Sequence, residues 1–289
     1  MVEKRSFGGR IADIVIFMVL IVIAFCCLTP LWHVMMSSVS DGQRLLAHDG
    51  LALWPVGEAT LDGYKLVFRD NRVLMGYANT LIYVGGQICF GFFLNVLGGY
   101  VLSQKTRWGG LLTLLIVLTM MFNGGTVPTY MNLRNLGMTG TRWALIIPGC
   151  TNAMFMMLAV RAFAGVPQAT VESARLDGAG HFTVMLRIMM PQCMGLLSVA
   201  LINTGILAWN AWFEASIYVT MQQDLWPLQL WVRQIASESE DFLNYANPDY
   251  ARYLIQYVVI VIATLPVLVV FPFFQKHLEK GMMAGAVKE

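Results

Sequence analysis

The chain has 289 residues, of which 57% are hydrophobic and 12% charged, with a net charge of +2 and a mean hydropathy of +0.62. Soluble domains carry about 25% charged residues, so this composition excludes an ordinary soluble fold and identifies a chain whose solvent is lipid. The small net charge and the lack of long basic runs exclude a nucleic-acid partner.

Along the chain, Lys4, Arg5 and Arg10 precede an apolar run over Ile11–Leu28. That run exceeds the roughly 7–15 residues of a secretory signal core, and no A-x-A cleavage site follows it. Phe25 before Cys26 also argues against a lipoprotein cleavage box. It is expected to be an uncleaved first span. A crossing helix needs about 20 apolar residues. Six stretches are expected to qualify: Ile11–Met35, Leu74–Leu102, Gly109–Phe122, Trp143–Val160, Leu196–Thr220 and Tyr253–Phe274. Pro128, Pro148 and Pro266 fall in or near them, which membrane helices tolerate. The expected fold is all-α, a polytopic transmembrane helical bundle of six spans forming one domain over 1–289, with core spans over about 74–274.

Cys26, Cys27, Cys89, Cys150 and Cys193 form no C-x-x-C pair, and all but Cys193 sit in apolar runs, where cysteine packs as a small hydrophobe. His33, His48, His181 and His277 lack metal-ligand spacing. No metal site and no disulfide framework is expected.

Orientation follows from Lys and Arg in the connections. With the N-terminus inside, eleven fall on the cytoplasmic side: Lys4, Arg5, Arg10, Lys105, Arg107, Arg161, Arg175, Arg187, Lys276, Lys280 and Lys288. The longer outer connections hold eight. Both termini are therefore expected in the cytoplasm. Two outer loops, about 36–73 and 221–252, contain Trp54-Pro55 and Trp226-Pro227, a sign of packed structure. The second is acidic, with Asp224, Glu238, Glu240, Asp241 and Asp249.

The cytoplasmic loop 163–195 interrupts this oily chain with Glu172, Arg175, Asp177, His181 and Arg187. Locally it reads as two short helices. Pro167 suits a first turn, Gln168–Asp177 contains no breaker, and Gly178 sits where a left-handed residue would end the helix. Phe182, Met185, Leu186 and Met189 then form one apolar stripe, and Pro191 closes the second piece. An amphipathic helix resting on the bilayer would fit the second piece. The mixed charged and small residues of the first suit another protein surface better.

The segment resembles the signature loop of permease subunits of ATP-binding-cassette importers, E-A-A, three residues, G, nine residues, I-x-L-P. The chain has Glu172-Ser173-Ala174, Gly178 and Ile188-Met189-Met190-Pro191 at that spacing, departing at Ser173 and Met190. Elsewhere it is similar to the carbohydrate branch, of the maltose-permease second-subunit type. Asn79-Thr80-Leu81 and Gly99-Tyr100-Val101-Leu102-Ser103 resemble N-T-L and A-Y-x-L-S. Phe122-Asn123-Gly124-Gly125, Pro128-Thr129-Tyr130 and Asn135-Leu136-Gly137 look like a subgroup handling complex or uronate-containing oligosaccharides, alginate-like ones being the first expectation. Phe273-Phe274-Gln275-Lys276 and the following tail resemble that branch's C-terminus.

The resemblance implies the type I ABC importer permease fold in a bacterial inner membrane, with a second homologous permease subunit as heterodimer partner. It also implies two copies of an ATPase subunit, an extracytoplasmic solute-binding protein and an oligosaccharide cargo. No G-x-x-x-x-G-K-[ST] occurs, so the chain itself lacks a P-loop; ATP and magnesium are expected on the ATPase, and the chain is not expected to be an enzyme. The resemblance places ATPase coupling on Glu172, Ser173, Ala174, Arg175, Asp177, Gly178, Ile188 and Pro191, with Glu172 and Gly178 as the key positions. It also suggests that the basic tail, with Lys276, Lys280 and Lys288, reaches toward the ATPase pair; a positive-inside flank is the plainer account.

A cargo path needs polar or aromatic groups facing the bundle interior. Asn203, Asn210 and Glu214 stand at i, i+7 and i+11 in span five, flanked by Trp209, Trp212 and Phe213. These are candidate sugar contacts; an interfacial aromatic belt and interhelical bonding by the asparagines fit the same residues. In the maltose relative the other permease subunit holds most of the sugar. An ion-coupled secondary transporter of a small polar solute is the alternative, and would call for intramembrane carboxylates, which Asp13 and Glu214 supply poorly from near span ends.

Overall fold

The computed structural model of the chain describes residues 7–104, 106–122, 124–241 and 250–286. Every regular element among them is helical. The helices are α1 (Phe7–Ser38), α2 (Gly42–Leu46), α3 (Asp62–Arg69), α4 (Asn71–Ser103), α5 (Gly109–Met121), α6 (Thr126–Asn135) and α7 (Trp143–Cys150). They continue with α8 (Ala153–Ala164), α9 (Gln168–Leu176), α10 (His181–Thr183), α11 (Met190–Trp209), α12 (Phe213–Tyr218), α13 (Leu228–Asp241) and α14 (Tyr250–Ala286). A π-helical segment, Val184–Met189, joins α10 to α11.

Among the described residues, four stretches are long and apolar enough to cross a membrane: Ile11–Ser38, Asn71–Ser103, His181–Trp209 and Tyr253–Phe273. Two bent pairs, α5 with α6 and α7 with α8, bring the number to six if each pair is one span. The fourth expected span, Trp143–Val160, is therefore not one straight helix. It bends by 41° at Thr151–Asn152. Pro148 weakens the end of α7, and Asn152 starts α8 afresh by accepting the N–H groups of Met154 and Phe155. The fifth expected span, Leu196–Thr220, is shifted: its helix starts at His181 and stops at Trp209.

The chain, expected as one domain over 1–289, gathers its contacts in two compact units, residues 1–70 with 232–264 and residues 71–231 with 265–289. In the first, the most apolar window of α1 has none of its residues buried, as a lipid-facing helix requires. The connection after α1 is packed, as its Trp-Pro signal suggested, but not through Trp54, which is 76% exposed. Its anchors are Trp32, whose Nε1 donates to the Leu53 carbonyl at 2.8 Å, and His33, whose Nδ1 accepts the Ala52 N–H at 2.9 Å. Leu45, Ala52 and Leu254 form the small core of this unit.

The second unit is built on α4, which packs against α7, α8 and α11. One face of α4 is small. A side chain at Gly91 would put a Cβ 2.6 Å from the Cys150 carbonyl oxygen, and one at Gly99 a Cβ 2.5 Å from the Ala159 Cβ. Backbones can approach this closely only where side chains are missing, the usual solution for helices in lipid. The same buried face carries amides that meet main-chain carbonyls of the α7 region. Gln87 donates to Leu145 at 2.9 Å and Asn95 to Cys150 at 3.4 Å.

Further up α4, Asn79, Thr80 and Tyr83 hold the irregular segment after α12. Asn79 Nδ2 donates to the carbonyls of Asp224 (2.6 Å) and Trp226 (3.2 Å), and its Oδ1 accepts from Arg142 at 3.2 Å. Thr80 Oγ1 accepts the Leu228 N–H at 2.8 Å, and Tyr83 donates to Leu225 at 2.6 Å. Asn79 and Thr80 are almost wholly buried. The N-T-L similarity thus marks a structural clamp. Of the acidic loop expected on the outer side, Asp224 is placed here through its carbonyl, whereas Asp249 and the side chains of Glu238, Glu240 and Asp241 lie outside the described residues.

Gly99→Val is expected to overpack the α4–α8 contact and cost about 1–3 kcal/mol, read as a lower aggregation temperature in detergent. Asn79→Ala would leave two carbonyls and Arg142 without their amide, at a cost of about 1–3 kcal/mol. Faster amide exchange over 219–228 would show that loss.

Candidate functional site: the elbow between α8 and α11

Helix α9 starts at Gln168, one residue after Pro167, whose extended backbone (φ −56°, ψ 129°) forms the cap. It ends in a Schellman motif: the Gly178 N–H reaches the Arg175 carbonyl at 3.0 Å and the Ala179 N–H the Ala174 carbonyl at 3.0 Å. Gly178 takes φ +85°, the left-handed conformation this geometry demands. The expected stop after Asp177 is therefore in place, with its cause.

The three positions of Glu172-Ser173-Ala174 face differently. Ala174 is buried in one core with Phe163, Val184 and Met185, and Ala179 packs against that core. Glu172, Ser173, Arg175 and Asp177 are exposed, and Leu176 is 89% exposed. Serine in place of alanine at Ser173 therefore lies on the outer surface. Met190, the other departure, packs against the same core as Ile188. One small residue seats the helix while Glu172 and Asp177 stay exposed.

Two expectations for the second piece are corrected. Pro191 does not close a separate helix; it stands in the first turn of α11, and helical backbone runs from His181 to Trp209. Proline has no N–H for an i−4 bond and its ring crowds the preceding turn; the wider π turn over Val184–Met189 lies directly before it. That widening also splits the apolar stripe. Met185 and Met189 are buried with Val184, whereas Phe182 and Leu186 are 66% and 46% exposed.

The elbow is tied to the end of α4 by two side-chain bonds. Tyr100 Oη and His181 Nδ1 stand 3.0 Å apart, with Tyr100 also edge-on to Phe163. Arg175 donates to Gln104 Oε1 at 3.2 Å. The guanidinium is thus turned back toward α4. Between the ties lies an open cleft of about 720 Å³. Sequence reasoning missed both ties; Tyr100 lies in the stretch similar to A-Y-x-L-S, the one available signal. Lys105, Lys288 and the side chains of Lys276 and Lys280 lie outside the described residues.

The residues proposed for a cargo path are not brought together on one helical face. α11 ends at Trp209, Asn210–Trp212 interrupts it, and Glu214 belongs to the first turn of α12, so the i+11 spacing does not apply. Asn203 and Asn210 each donate to the carbonyl four residues earlier, Val199 and Ile206, at 2.9 Å. Trp209 is buried, edge-on to Tyr77 at 6.1 Å. Trp212, edge-on to Phe213, is half-buried, and Asn210 and Glu214 are exposed. Among the described residues no cluster of His, Cys, Asp and Glu could hold a metal ion.

Residues 71–284, from the first residue of α4 onward, match the family of the binding-protein-dependent transport system inner membrane component. The chain is 28% identical to the polygalacturonan/rhamnogalacturonan transport system permease protein YtcP of Bacillus subtilis, over 97% of this chain and 99% of that one. It is 31% identical to the protein LplC of the same organism, over 97% and 96%. Its fold superposes on a chain of a bacterial ABC transporter involved in the import of the acidic polysaccharide alginate, with a TM-score of 0.84, 26% identity and coverage of 94% and 98%. A second alginate ABC transporter structure, in complex with a pentasaccharide-bound periplasmic protein, has a TM-score of 0.59 at 16% identity and shares the fold. The elbow, the glycine-lined α4 and the bent spans are therefore those of an ABC-importer permease, and the chain belongs to the family of binding-protein-dependent transport system inner membrane components.

Proposed function

We propose that the chain is the permease subunit of an ATP-driven importer of oligosaccharides, of the uronate-containing kind, in a bacterial cytoplasmic membrane. It pairs with a second permease subunit, receives cargo from an extracytoplasmic binding protein, and is driven by two ATPase subunits that carry ATP and magnesium. Both termini and the elbow lie on the cytoplasmic side, in line with the Lys and Arg bias. The names of the relatives, for polygalacturonan/rhamnogalacturonan and alginate, support an acidic saccharide.

The observation that carries the coupling role is the mounting of α9. Its inner side is fixed to the core through Ala174, and two residues after Gly178 the chain enters the long helix that starts at His181. A push on the exposed side cannot be absorbed within α9. It passes through the Gly178 turn into the membrane-crossing helix, and the bundle then moves between inward- and outward-open states.

Gly178→Val tests this role. Open space surrounds the position, so only backbone conformation opposes the change. A left-handed non-glycine residue costs roughly 1–2 kcal/mol, more for a β-branched one. In vesicles with the ATPase and binding protein, Gly178→Val should retain ATP hydrolysis and lose transport by about tenfold or more. Gly178→Asn, which tolerates this conformation, should stay coupled; transport by the valine variant equal to the parent's would overturn the role. For the path, Asn210→Ala and Glu214→Ala should slow uptake without loss of complex assembly; unchanged uptake in both would remove them from it.

A further inference from the structure

We infer that the cleft between the end of α4 and the elbow is a binding site for a short acidic saccharide, through which accumulated product slows the transporter from the ATP side. This rests on the carbohydrate and orientation proposals above. About 720 Å³ of space falls within the roughly 300–1,000 Å³ of small-molecule sites. Its walls mix aliphatic side chains with groups that suit a sugar acid. Arg175 supplies a planar fork of N–H donors for a carboxylate. Gln104 and Gln168 offer amides for hydroxyl groups, and Phe182, 66% exposed, offers a ring face for an apolar sugar face. Tyr100 Oη engages His181 Nδ1, which leaves the opposite ring nitrogen of His181 as a further polar group at the cleft.

The electrostatics select the ligand's sign. None of the described residues lining the cleft is acidic, and Arg175 among them is cationic. Arg175 meets a neutral amide in Gln104 and no carboxylate within 4.0 Å among the described residues. A uronate carboxylate would replace a neutral acceptor by a charged one, a stronger bond. The ligand would also bridge Gln104 on the α4 side to Arg175 on α9. Bound there, it favours the arrangement in which the cleft is open, and it opposes any movement of the elbow that closes it.

The test uses the complete transporter in proteoliposomes, with labelled cargo and binding protein on one side and ATP on the other. Digalacturonate is added to the ATP side, and both uptake and ATP hydrolysis are read. Both should fall by about fivefold or more, whereas neutral galactobiose should have little effect. Gln104→Glu places a carboxylate beside Arg175; inhibition, read against that variant's own rate without added sugar, should weaken by about tenfold. Gln104→Asn, which adds no charge, should remain inhibited. Equal inhibition of the Gln104→Glu variant, equal potency of the neutral sugar, or relief that follows anionic lipid content instead of digalacturonate would each overturn the site. Uptake of uronates without ATP-side inhibition sinks this inference alone; absence of uronate uptake sinks the proposed cargo, and ATP hydrolysis still reports on the cleft.

Discussion

In lipid, a backbone group that loses its helical partner has no water to turn to, and each such group costs several kcal/mol. That constraint governs the second unit of this chain, because its helices are repeatedly broken. α7 ends beside Pro148, α11 begins beside Pro191, and α12 is cut off from α11 at Asn210–Trp212. The breaks have local answers: the Asn152 cap and the π turn over Val184–Met189. The longer-range answers come from α4. On its buried face Asn79, Thr80 and Tyr83 supply bonds to the irregular segment after α12, and Gln87 and Asn95 to carbonyls of α7. Here α4 is the frame that makes broken helices affordable, and Gly91 and Gly99 bring the frame close enough to reach.

The elbow works on the opposite principle. It is polar, exposed, and held by few contacts of its own, yet its position is fixed. Ala174 is the inward anchor, the Schellman bonds close the helix, and Gly178 sets the exit direction. A longer side chain at Ala174 would lift α9 off the core, and an ordinary residue at Gly178 would redirect the chain before His181. Small size at one position and left-handed backbone at another are what a rigid lever needs, whatever grips its outer side.

Much of this was legible in the residues. Apolar runs located the spans, and Gly178 located the end of α9, because hydrophobic length and the left-handed requirement are local properties. What failed was continuity. The stripe of Phe182, Met185, Leu186 and Met189 assumed 3.6 residues per turn, and the π segment changes that period without any sequence mark except Pro191 downstream. The path built on Asn203, Asn210 and Glu214 assumed an unbroken helix, whereas the chain leaves helical geometry after Trp209, with no proline or glycine at Asn210–Trp212 to signal it. The partners of Tyr100 and Gln104 lie 81 and 71 residues away, and no local pattern encodes such pairs.

The strength of those two ties bears on what the elbow can do. A typical hydrogen bond contributes about 0.5–1.5 kcal/mol net, and the Arg175–Gln104 bond is open to water, which weakens it further. Two such bonds hold the elbow to α4 with no more than a few kcal/mol. That is enough to bias one arrangement, and small enough for a docked motor or a bound anion to outweigh. The Ala174 seat is different in kind, since moving it would open a gap in the tightly packed core around Val184 and Phe163. The elbow therefore moves with the core that holds Ala174, a core to which Val96 and Tyr100 of α4 also belong. A ligand in the cleft acts on the two weak polar ties, whereas a force on α9 acts through the packed seat.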